Sequence, residues 1–129
     1  MISLSSPRLF FEFRDITDEL DALLRDILSL WPYDEFHITS IYRTPEEDTL
    51  LKASGIHTSI PHRALDASIH PMALTLLDQQ RLALNFARRI NRRWIYDPRR
   101  PRFKVIVAKQ HGTGPHLHIQ THPRTERAK

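Results

Sequence analysis

Gln110-His-Gly-Thr-Gly-Pro-His-Leu-His-Ile-Gln-Thr121 is the stretch on which the reading of this chain turns. Gly112-Thr113-Gly114-Pro115 has turn chemistry, and Gln110 to Thr121 reads as a strand. A strand sends residues i and i+2 to one face, so His116 and His118 aim two imidazoles at one side while Ile119 points to the other. Two imidazoles converging in a cleft suit a zinc ion better than a core role. Such a pair asks for further ligands upstream, and His57-Thr-Ser-Ile-Pro-His62-Arg-Ala-Leu-Asp66 offers them.

Working outward, Phe103 to Ala108 reads as a strand joined by the glycine turn to the histidine strand. Before it, Pro71 and Asp78 mark the entry to the longest helix, ending near Arg93 or Trp94. Its apolar stripe is Leu74, Leu77, Leu82, Phe86 and Ile90, with arginines opposite. Ala64 to Ile69 reads as a strand and Ile56 to Pro61 as a loop. Thr44-Pro45-Glu46-Glu47 is a capping box that opens a short helix to about Lys52. Phe36 to Tyr42 alternates as a strand. Asp15 or Thr17 caps a helix to about Leu30 whose stripe is Ile16, Leu20, Leu23, Leu24, Ile27 and Leu28, stopped by Trp31-Pro32. A short strand is expected around Leu9–Phe13. This order predicts one α+β domain over residues 1–129, a small antiparallel or mixed sheet with helices packed on it.

Composition narrows the chemistry. The chain has 129 residues and no cysteine, so disulfides and thiolate ligands are excluded and a zinc site must use histidine and carboxylate. Net charge is +4, with acids dominating before Leu51 and arginines after Asp78, which favours a polyanionic partner. No stretch reads as a secretory leader or a membrane span. The three glycines, Gly55, Gly112 and Gly114, all lie beside histidine segments.

Three elements in order carry a resemblance: Ser40-Ile41-Tyr42-Arg43, then His57 with Arg63-Ala64-Leu65-Asp66, then His116-Leu117-His118. Across Ile38 to Gln120 the chain resembles the zinc D-Ala-D-Ala peptidases of hedgehog-type fold, a group that includes phage L-alanyl-D-glutamate endopeptidases. The resemblance implies Zn2+ held by His57, Asp66 and His118, with His116 as the catalytic histidine. It makes Arg43 the cation facing the substrate, with Ser40 and Tyr42 in support. His57 lies nine residues before Asp66, where the group more often has seven, so His62 stands as the alternative first ligand.

Many members carry a carboxylate base shortly before the last ligand. This chain has no acidic residue between Asp97 and Glu126, which leaves His116 to take the proton. The implied activity is hydrolysis of peptide bonds in bacterial peptidoglycan stems, as carboxypeptidase or endopeptidase, with zinc-activated water as nucleophile. A monomer made in the cytoplasm without a signal peptide is expected, with no membrane partner, acting at the cell wall after phage-type delivery. Phage particle components are the other partners the resemblance suggests. Two other readings stand beside it. One is a non-catalytic phage structural or binding domain of the same fold; the other is a basic nucleic-acid-binding protein using the helix arginines. His37, His70, His111 and His122 read as surface or turn residues.

Overall fold

The computed structural model describes residues 2–41, 61–69, 75–111 and 114–129. In chain order its elements are β1 (Ile2–Leu4), α1 (Arg8–Phe13), α2 (Asp18–Leu30), β2 (Phe36–Ser40), β3 (Ala64–Ser68), α3 (Leu76–Asn91), β4 (Trp94–Ile95), β5 (Ile106–His111), β6 (Gly114–Gln120) and β7 (Glu126–Arg127). The class is α+β: a five-stranded mixed sheet, a small two-stranded sheet and, among the described residues, three helices. The expected helix from Thr44 to Lys52 lies outside the described residues, as do Leu74 and the 56–60 loop.

Local chemistry sets the long helices. The Thr17 hydroxyl accepts from the Leu20 amide at the start of α2, and Asp18, Glu19 and Asp21 place negative charge against the helix N-terminus. Pro32 disfavours helical backbone at the residue before it, and Trp31 accordingly leaves α2 at φ −66°, ψ 123°. Thr75 caps α3 by accepting from the Asp78 amide at 3.2 Å, and Arg88 and Arg89 lie in its last turn.

The large sheet runs β1-β2-β3-β6-β5, with β1 and β2 parallel and every other pair antiparallel. One face carries Ile38, Leu65, Ala67, Ile106, Leu117 and Ile119, all buried against Leu20, Leu23, Leu24 and Ile27 of α2 and Ala83, Phe86 and Ile90 of α3. Trp31 joins the layers, meeting Phe36 and Phe86 edge-on at 5.2 and 5.0 Å. The residues between these core positions therefore face the other way, and most of them are polar. Asp66 stands opposite His118, Ser68 opposite His116, and Ala64 opposite Gln120. No helix among the described residues is long and apolar enough to cross a membrane.

Four expectations are corrected. Leu9–Phe13 lies in a helix, not a strand: Leu9 turns inward, the Arg8–Glu12 pair at 2.8 Å bridges one helical turn, and Ile2–Leu4 supplies the strand instead. The strand expected from Phe103 begins at Ile106, because the Asn91 amide takes both backbone groups of Ile106, while Phe103 sits exposed in a turn held by Arg100. Strand spacing continuous from Gln110 to Thr121 is broken into β5 and β6, with Gly114 at φ +122°, where L side chains are strained. Leu77 is 54% exposed, since α3 turns Ala83, Phe86, Ala87 and Ile90 to the sheet and small alanines let it approach closely.

Two carboxylates lock the C-terminal region to the helices. Arg93 grips Asp26 of α2 from Nε and Nη2, both at 2.8 Å, and Trp94 Nε1 donates to the same carboxylate. Arg93 above all, with Trp94 and despite burial, holds the Asp26 carboxyl at about 2. The fully buried Asp97 receives Arg124 through two 2.9 Å bonds. Arg124, with the Arg99 amide, pulls Asp97 well below the usual carboxylate range against the opposing effect of burial. β7, too short to show any periodicity in sequence, pairs with β4 beside these locks.

Candidate metal centre

β3 and β6 are adjacent antiparallel strands, so the alternation that separates His116 from Leu117 also fixes which β3 residues they meet. His118 is 7% exposed and its partner across the ladder is Asp66. His118 Nδ1 lies 2.9 Å from Asp66 Oδ1. Leu117 and Ile119, fully buried on the opposite face, hold β6 in the register that makes this pairing.

The other side of the imidazole is equally specified. His118 Nε2 lies 3.1 Å from Gln120 Oε1. The orientation of that amide is set by its own Nε2, which donates to the Lys104 carbonyl at 2.9 Å. Both ring nitrogens thus face acceptor oxygens, yet a neutral imidazole has one N–H. The second nitrogen needs a further proton or a cation that takes its lone pair. Gln120 was not singled out from sequence, although it follows His118 by the same two-residue step that paired the histidines.

His116 shares the face, one ladder position from His118 and opposite Ser68. It is half-buried, with Nδ1 3.3 Å from the Gly114 carbonyl. Ser40 pairs with Asp66 from the far side, because a register shift between Ile38 and Ser40 advances β2 by one residue. Thr39 reaches the same strand and donates from Oγ1 to the Asp66 carbonyl.

His62 is placed differently. It is buried in an isolated bridge to Ile16, with its amide donating to the Asp15 carbonyl and its carbonyl accepting from Thr17. His57, Tyr42 and Arg43 lie outside the described residues. Among the described residues no three His, Cys, Asp or Glu side chains stand together as a metal site. The structure therefore brings Asp66, His118 and His116 to one face, and does not gather His62 with them as a third donor.

The donor types fit zinc. A carboxylate and an imidazole are ordinary zinc ligands, and two ligands of a tetrahedral zinc lie about 3.3 Å apart. The 2.9 Å between Asp66 Oδ1 and His118 Nδ1 is close to that separation. Compared with known proteins, the chain matches no family model, no curated protein and no solved structure.

Proposed function

We propose that the polar sheet face is the centre of a zinc peptidase acting on the stem peptides of bacterial peptidoglycan. The observation that carries this reading is His118, whose two ring nitrogens both meet oxygens, from Asp66 and Gln120. One of those contacts is relieved if a divalent cation accepts the nitrogen lone pair. Asp66 and His118 hold the metal in this proposal, with His57 as third ligand. Zinc, when bound, supplies a Lewis acid that acidifies water and polarises a peptide carbonyl.

The chain's own residues supply the rest. His116, on the same face one position along β6, is the proton carrier, suited to the task by an imidazole's ordinary titration near neutral pH. Its Nδ1 is oriented toward the Gly114 carbonyl, 3.3 Å away. Arg43 is the cation for the substrate carbonyl or a terminal carboxylate. Action at the cell wall, with phage-type delivery, belongs to the same proposal.

A second reading rests on the same geometry. If His118 is a doubly protonated imidazolium, it donates to Asp66 and Gln120 together and forms a closed polar clasp in a non-catalytic domain. Metal content separates the two. Purified protein is expected to carry close to one zinc per chain, and His118→Ala to lose most of it. Full zinc retention by that variant sinks the ligand assignment. A metal-free wild type that does not bind added zinc favours the clasp.

A further inference from the structure

A second polar cluster lies beyond the end of β6, away from the residues assigned above. Its centre is Asp97, fully buried, with Arg124 on both oxygens, Arg100 Nε at 3.8 Å and His122 Nδ1 at 3.9 Å from Oδ2. Arg63 joins from β3's leading end: Thr121 donates to its carbonyl from both backbone N and Oγ1, at 2.8 and 2.9 Å. Arg63 and His122 are thereby held on neighbouring strands' ends, close enough for the Arg63 charge to act on the imidazole.

One group of this cluster is not satisfied by the described residues. The Nε of Arg63 is buried and has no acceptor. A buried guanidinium N–H left without an acceptor is costly, and native structures rarely keep one without a use. His122 lies in the same cluster: its Nδ1 accepts the Arg124 amide at 3.1 Å, so the neutral ring carries its proton on Nε2. Charge points the same way. Arg100 and Arg124 face the carboxylate of Asp97 and Arg63 acts on His122, so the cluster holds three guanidiniums to one carboxylate, an excess of two positive charges with His122 neutral.

We propose that Arg63, His122 and Arg100 form an anion site for a phosphate group. Guanidinium forks match phosphate oxygens, and a dianion offsets the charge excess where a carboxylate offsets half of it. The site stands whether or not the sheet face holds zinc. Burial and the surrounding arginines, Arg124 foremost, push the His122 imidazole down in the ligand-free protein. A bound phosphate cancels part of that charge, so the His122 midpoint rises on binding.

The test follows the His122 ring resonances by NMR through pH titrations of the full chain, with inorganic phosphate or acetate at equal ionic strength. Phosphate is expected to raise the His122 midpoint, acetate to leave it nearly unchanged, and Arg63→Gln to weaken phosphate binding by about tenfold. Arg63→Lys keeps charge without the fork and is expected to fall between. Near-UV circular dichroism confirms that each variant is folded; should Arg63→Gln fail there, Arg100→Gln carries the same comparison. Competition by a glycerol-phosphate oligomer identifies a polymer as the source of the group, and its failure identifies the free ion. A His122 midpoint indifferent to phosphate, or an equal response to acetate, overturns the proposal. Zinc content is unchanged by either outcome, so the two sites are tested separately.

Discussion

Replacing Asp26 with Asn removes the carboxylate that ties α2 to the segment after α3. Arg93 and Trp94 give it three bonds at 2.8 Å, and together with Arg127 they hold its carboxyl at about 2 rather than 3.8. At about 1.4 kcal/mol per pKa unit, that difference corresponds to about 2.4 kcal/mol before screening. The Arg93 side chain is 37% exposed, so solvent reduces the interaction, to about 1–2 kcal/mol. The folded-state value lies below the unfolded one, so this stabilisation is complete above pH ~4 and is lost as pH falls through about 2. For a chain of this length 1 kcal/mol shifts Tm by about 4 °C. Thermal unfolding of wild type and Asp26→Asn, followed by circular dichroism from acid to neutral pH, is expected to show a gap of about 4–8 °C at neutrality that closes toward pH ~2. A variant as stable as wild type at neutral pH refutes the argument. So does a gap that keeps its size in acid, because the loss would not be electrostatic.

Other outcomes follow from single residues. His116→Ala is expected to keep zinc while losing muropeptide hydrolysis, read by metal analysis alongside product chromatography; full activity would send the search for the base elsewhere. Gly114→Ala meets no atom within 4 Å, so its cost is that of φ +122° alone, about 1–2 kcal/mol by denaturant titration. An unchanged midpoint would show that the turn tolerates a side chain. Leu77→Ser, at a position 54% exposed, is expected to change stability by less than about 0.5 kcal/mol, whereas Leu117→Ala, fully buried, costs about 2–5 kcal/mol.

Much of the site's logic is legible in two-residue spacing. His116, His118 and Gln120 share a face because strands alternate, and nothing beyond the sequence is needed to say so. Spacing within one strand cannot choose the neighbouring strand or its register. That Asp66 shares the histidines' face follows from the burial of Leu65, Ala67, Leu117 and Ile119 on the opposite one, and the register of the ladder sets it against His118 and not His116. The shift that brings Ser40 to Asp66 is a local irregularity with no composition signal. His122 looks like a surface residue in sequence because its partners, Asp97 and Arg63, are far along the chain.

By itself the sequence determined the start of α2 to within Asp15 or Thr17, the stop at Pro32, the alternation of β6 and the α+β class, since each depends on residues within a few positions of one another. Only the tertiary structure decided that Leu9–Phe13 is a helix, that α3 turns its alanines and not Leu77 inward, and that Asp26 and Asp97 each gather arginines. Those outcomes depend on which surfaces meet after the chain folds back, and burial and charge pairing between distant segments leave no periodic trace in the order of residues.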